Sequence, residues 1–268
     1  MRVIGHVAVN VFKESVRDKV LYNLVAFASL LIAVSYLLGQ LTAGQDVKIV
    51  KDLGLAAIAT FGLLISVFIG IGLVWKEVDR RSIYSLLSKP IRRSEFIVGK
   101  YAGLALTLLV NVAVMTLVFY GVLAYLNSQF SEAVRSVWPA PATDPRMLQA
   151  IVLIFVELLL VTAIALFFST FSSPFLSAAL TFGLWVIGHF NADLRNFEAV
   201  VDSRPAAYLA RGLYYLLPNF AAFDIKTQVV YALPVPVSYV VTTALYGVVY
   251  IALLLTGAVV IFSRRDFK

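Results

Sequence analysis

The chain has no cysteine, so neither a disulfide framework nor a thiolate-ligated metal site can form. Two histidines and three methionines in 268 residues leave no set of transition-metal ligands. Charge is scarce as well: 14% of the residues are Asp, Glu, Lys or Arg, where soluble domains carry about 25%. No Gly-x-x-x-x-Gly-Lys-Ser/Thr occurs, and Gly99-Lys100 is followed by Tyr101, so this chain does not itself cradle ATP phosphates. Gly-x-Ser-x-Gly and His-Glu-x-x-His are missing too. An intramembrane serine protease needs a Ser and a His facing each other, but Ser177 and His189 share one segment and stand 12 residues apart. What is present is apolar: 61% of the residues are hydrophobic and the mean hydropathy is +0.90. A soluble fold of this composition would have too little polar surface to face water, and the bilayer is its natural solvent. The net charge of +7 then reads as loops retained on the cytoplasmic side rather than as a nucleic-acid surface.

A membrane span takes about 20 apolar residues to cross about 30 Å of hydrocarbon. Six runs qualify: 22–41, 53–75, 101–126, 150–168, 174–190 and 238–262, of which the fourth carries Glu157 and the fifth His189. The runs are continuous rather than alternating, which predicts an all-α membrane protein of one transmembrane domain over 1–268. The polar leader before the first run contains acids and no small-x-small site follows Leu41, so the run is expected to be retained rather than cleaved. Ser169 to Ser173 predicts a tight helical hairpin, capped before Pro174. With the N-terminus inside, 14 Lys and Arg fall in 57 inner residues and 8 in 81 outer ones. That asymmetry predicts both termini in the cytoplasm and a multi-pass protein of the cytoplasmic (inner) membrane. Aromatic residues at span ends, Tyr22, Trp75, Tyr101 and Tyr125, suit interfacial anchoring.

Two features stand out on the inner side. Residues 2–20 alternate Val3, Ile4, Val7, Ala8, Val11, Phe12, Val16 and Val20 with His6, Asn10, Lys13 and Arg17 at helical spacing. The pattern fits an amphipathic helix on the inner membrane surface, or a cytoplasmic extension of the first span. The loop 76–100 is the second. Glu77 can pair with Arg80 and Arg81, and Ile83, Leu86 and Leu87 form an apolar face, so 77–88 reads as a short amphipathic helix. Pro90 stops it, and Ser94 resembles an N-cap for a helix running into the third span. Cations alone would serve as a topological anchor; the break and the exposed leucines suggest an elbow that docks a soluble partner.

Glu77, Arg81, Leu86, Leu87, Ser88, Pro90, Arg92, Phe96, Gly99 and Lys100 resemble the Leu-Leu-Ser-x-Pro and Gly-Lys signature of ABC-2 type transporter permeases. Leu216-Leu-Pro-Asn-Phe220 and Phe262-Ser-Arg-Arg-Asp-Phe267 extend the resemblance, which is nearest to the permeases of multicopper-enzyme and nitrous-oxide-reductase maturation. The resemblance implies a permease that pairs with a second copy, a homodimer in the simplest case, and with two cytosolic ABC ATPase subunits. ATP and Mg would then lie in those partners, with no cofactor, no metal and no catalytic residue in this chain. Residues 2–20 would be the connecting helix and 77–88 the coupling helix. Glu77, Arg80, Arg81, Ile83, Leu86, Leu87, Ser88, Pro90, Arg92 and Arg93 would form the ATPase contact. Exposed ion pairs add about 0–1 kcal/mol each, so Ile83, Leu86 and Leu87 should dominate the docking.

On the outer side, Pro205 to Leu217 reads as a helix closed by Pro218, and Leu233 to Pro236 as extended chain. Such a helix suits either the interface or, by the resemblance, a re-entrant outer gate built on Leu217, Pro218, Asn219 and Phe220. Glu157 lies about seven residues into the fourth span, where an ionised, unpaired carboxylate is costly. His189 and Asn111 are its candidate partners, in a structural hydrogen bond or a substrate path. Two other functions stay open: a lipid-modifying enzyme with Glu157 and His189 as acid and base, and an assembly scaffold without transport.

Overall fold

The computed structural model describes residues 2–41, 46–79, 92–136, 138, 140–190 and 204–264, and among these no strand occurs. Five helices are long and apolar enough to cross a membrane. They are α2 (Lys19–Gln40), α3 (Asp46–Asp79), α4 (Arg93–Gln129), α6 (Met147–Ser169) and α10 (Val237–Arg264). The shorter α7 (Pro174–His189) is the fifth predicted run; its 16 residues reach about 24 Å. Around these lie α1 (Arg2–Ser15), α5 (Glu132–Arg135), α8 (Arg204–Leu216), a 3₁₀ turn (Phe220–Phe223) and α9 (Lys226–Val230).

Helices α3 and α6 form the centre. Each buries 67% of its most apolar stretch, whereas α2 and α10 bury 22% and wrap the outside. The lipid-facing side chains of α2 and α10 therefore need no protein partner; hydrocarbon is as apolar as leucine. Helix α3 packs against α2, α4, α6 and α7, and α10 packs against α6 and α4. The hairpin between α6 and α7 forms as the sequence implies. Ser173 caps α7 by accepting from the Leu176 amide at 3.5 Å, Pro174 takes the first turn, and the Ser172 and Ser177 hydroxyls meet at 2.7 Å.

The N-terminal segment forms the expected amphipathic helix, separate from the first span and shorter than 2–20. Its helix stops at Ser15, because Asp18 takes an extended conformation and accepts from the Val20 amide at 3.0 Å to start α2. That leaves Val16 and Val20 exposed, off the apolar stripe they were predicted to extend. Instead α1 lies along the beginning of α4. Gly99 and Gly103 of α4 make the seat: a Cβ at 103 would stand 2.6 Å from the Ala8 carbonyl oxygen and one at 99 would stand 2.8 Å from Val7 Cβ. This is the small-xxx-small rule for close helix approach. The start of α4 differs as well. Arg92 is the capping residue, and its amide donates to the Glu95 carboxylate at 3.2 Å, so Ser94 lies within the first turn. Tyr101 is not a surface anchor; its hydroxyl donates to the Leu159 carbonyl of α6 at 3.2 Å. Tyr22 and Tyr125 are exposed, as anchoring requires.

The segment leading into α6 is fastened by polar groups. The Lys51 ammonium donates to the Pro141 carbonyl at 2.9 Å, the Tyr120 hydroxyl to the Asp144 carbonyl at 3.1 Å, and the Asp144 carboxylate accepts from the Arg146 amide at 2.9 Å.

Gly103→Ala forces α1 away from α4. The expected cost is about 1–3 kcal/mol, read as a lower unfolding temperature in detergent, while Gly121→Ala, with no atom within 4 Å of the added Cβ, leaves it unchanged.

Candidate functional site

Glu157 sits near the midpoint of α6 and is 6% exposed. Its carboxylate accepts from the Trp185 indole N–H at 2.8 Å, and His189 Nε2 lies 3.7 Å from the same oxygen. Trp185 and His189 are one turn apart on α7, so both rings reach the same side of α6. His189 Nδ1 lies 3.0 Å from the Trp185 carbonyl. A carbonyl only accepts, so Nδ1 carries its hydrogen and Nε2 faces Glu157.

The other face of the imidazole is covered. Phe220 stacks on it with ring centres 5.8 Å apart and planes 10° from parallel, and both Phe220 and Phe223 are 0% exposed. The turn that carries them enters a notch made by missing side chains. At Gly188 an added Cβ would stand 2.6 Å from the Pro218 carbonyl oxygen and 2.4 Å from the Phe220 ring. At Gly247 of α10 it would meet Phe223 at 3.2 Å. Two hydroxyls complete the seat: the Asn219 amide donates to Tyr246 at 2.9 Å, and Tyr239 donates to the Ala222 carbonyl at 2.8 Å.

The sequence-predicted substrate-path pair and the outer-gate segment thus form one cluster, joined through His189 and Phe220. Asn111 is not part of it. Its side-chain N–H₂ donates to the Thr107 carbonyl one turn back at 2.9 Å, and the residue lines a separate cleft of about 260 Å³ with Ser15, Tyr22 and Val25. Trp185, Gly188, Tyr246 and Gly247 were not singled out from the sequence. The signal for Trp185 was its one-turn spacing from His189; for the glycines there was none, since only the neighbouring element shows what they admit.

At the opposite end of α4, Arg93 donates from Nη1 to the carbonyls of Phe262 and Ser263, at 3.1 and 2.7 Å. These are among the last carbonyls of α10, which have no partner within that helix. Phe96 stacks on Phe262 at 5.8 Å, and Lys100, 1% exposed, holds its ammonium 4.8 Å from the Phe96 ring centre. Arg93 and the Phe96 and Lys100 of the motif therefore build the junction between α4 and the end of α10. Glu77 belongs to the last turns of α3. Arg80, Arg81, Ile83, Leu86, Leu87, Ser88 and Pro90 lie outside the described residues.

A bundle of apolar helices with a helical turn let into one end and two helices longer than a bilayer requires is that of a polytopic membrane protein. Residues 6–267 match the family model described as ABC-2 family transporter protein, and the chain belongs to that family. It is a membrane permease component of an ABC transporter, a transport subunit that works with ABC ATPase subunits. No curated protein matches the chain.

Glu157→Gln keeps an acceptor for Trp185 and gains a donor for His189, so its stability should match the parent. Glu157→Leu leaves the half-buried Trp185 indole N–H without its acceptor and should cost about 1–3 kcal/mol. Thermal unfolding of both variants in the same detergent tests the ranking, and equal losses would contradict this account of the carboxylate.

Proposed function

We propose that this permease exports an amphipathic or lipid-like substrate, as a pair of identical or similar chains driven by two cytosolic ATPase subunits. In this reading ATP and Mg bind in those subunits, and both termini face the cytoplasm at the inner membrane. The observation that carries it is the length of α3 and α4. Their 34 and 37 residues measure about 51 and 55 Å, well beyond the about 30 Å of hydrocarbon. Both are joined by the basic segment 80–91, so a push on that segment arrives directly on two spans. The asymmetry of Lys and Arg supports the orientation, and the apolar lining of the bundle supports the substrate class.

The buried cluster bears on the rival with acid–base chemistry. Glu157 is held by Trp185, Phe220 covers the imidazole, and neither residue lines any of the three cavities described in this chain. The arrangement serves better as a latch for the outer turn than as a site open to a lipid.

The docking test is co-purification. Leu86→Asp combined with Leu87→Asp should reduce the recovered ATPase subunit at least about tenfold, as loss of buried apolar anchors implies. Undiminished recovery would remove the elbow from the interface.

A further inference from the structure

Helices α3 and α4 continue directly into the basic segment 80–91, but α10 does not; it is reached through α9 and residues 231–236. A movement of segment 80–91 must therefore cross from another helix before it acts on α10. The first two turns of α4 provide the crossing. Arg93, Phe96 and Lys100 follow one another at three- and four-residue spacing, so they share one side of the helix. That side meets the end of α10. Arg93 Nη1 donates to the carbonyls of both Phe262 and Ser263, and the buried Phe96 ring lies on Phe262 with planes 20° apart.

The two kinds of contact differ in what they transmit. Stacked rings tolerate an offset, so the Phe96–Phe262 pair resists separation more than sliding. A hydrogen bond weakens steeply as its angle opens, and a guanidinium donor makes it stronger than a neutral one. Its acceptors here stand at the negative end of the α10 dipole. The first residue of α4 is thus tied in direction, and not merely in distance, to the last turn of α10.

Burial sets Arg93 apart from its neighbour. Arg92 is exposed, whereas Arg93 is half-buried and reaches back to the permease's own carbonyls. A guanidinium engaged in this way has fewer donors to offer a soluble partner. Along its length α10 also holds the turn that covers His189, through Tyr246 and Tyr239. A displacement of α10 therefore reaches that turn.

From these observations we propose that Arg93 is a positioning residue that carries movement of segment 80–91 from α4 to α10, rather than a contact for the ATPase subunit. The inference rests on the reading that ATP acts through that segment.

The test uses the full chain assembled with the ATPase subunit. Because the chain has no cysteine, introduced cysteines can be spin-labelled before assembly, and dilution with unlabelled chain restricts the distances to one copy. Leu148→Cys on α6 with Val237→Cys on α10 reads α10, and Leu148→Cys with Ser128→Cys reads α4; all three positions are exposed. Distances are measured by electron–electron resonance without nucleotide and with ATP and vanadate. In the parent both pairs should shift. Arg93→Gln should recover the ATPase subunit as the parent does and keep the α4 shift, while its α10 shift falls at least about threefold, as loss of the coupling contact implies. Arg93→Lys, which retains the charge, should restore part of the α10 shift. Gly103→Ala, which loosens α1 from the same helix, should lower the unfolding temperature and leave both shifts, separating stability from coupling. A parent-like α10 shift in Arg93→Gln overturns the proposal. Loss of the ATPase subunit from that variant overturns it too, and returns Arg93 to the docking surface. If the parent's α4 pair shifts and its α10 pair does not, the tie fails and the ATP-driven reading stands. If neither pair shifts while the bound subunit hydrolyses ATP, the reading of segment 80–91 falls and the proposal with it.

Discussion

Inside hydrocarbon a donor or acceptor has no water to turn to, and this protein's architecture follows from where each polar group finds its answer. Most answer within their own helix: Ser66, Thr107 and Thr162 donate to the carbonyls four residues earlier, at 2.8, 3.0 and 2.8 Å. A few cannot, and those join elements. Glu157 reaches Trp185 on α7, Tyr101 reaches α6, and the amide of Asn219 reaches α10. The joints of the bundle are therefore polar, while the surfaces between them are generic and apolar. Dispersion and shape hold the helices together, but these few bonds specify which helix faces which.

Glycines supply the complementary device. Where α1 meets α4, and where the Phe220 turn meets α7, a missing side chain lets a backbone carbonyl come as close as packing permits. In both places a segment that is not itself a long span is pressed into one that is. The bundle has thereby gained two fitted pieces, one at each end of the helices. The piece set against α7 brings fully buried aromatic rings, so lifting it would expose Phe220 and Phe223 together and uncover His189.

The spans were legible because continuous apolar runs of the right length have one stable solution in lipid, and their predicted limits fall within a few residues of the observed helices except where α3 and α4 overrun the bilayer. The hairpin at Ser173-Pro174 was equally plain, since cap and proline act locally. Pairing was harder. Glu157 and His189 could be matched because an acid and an imidazole are rare in such runs. Asn111 was offered as another partner, but a helical amide can satisfy itself on the carbonyl one turn back. The seat of α1 was hidden for a different reason. Periodicity shows which face of a helix is apolar and says nothing of what covers it, so the stripe fitted a membrane surface as well as the glycines of α4.

The clasp of Arg93 on the end of α10 has a mechanical meaning. It fixes one extremity of a rod of 28 residues, about 42 Å long, while the rod's outward side is held only by fluid hydrocarbon. The rod is also held along its inner flank, where it packs on α6 and α4, so a tilt about the clasp is shared with them. A swing of about ten degrees at the pivot displaces the far tip by about 7 Å, more than the rise of one helical turn. The Phe220 turn, bonded to Tyr239 and Tyr246, rides on the long side of that rod.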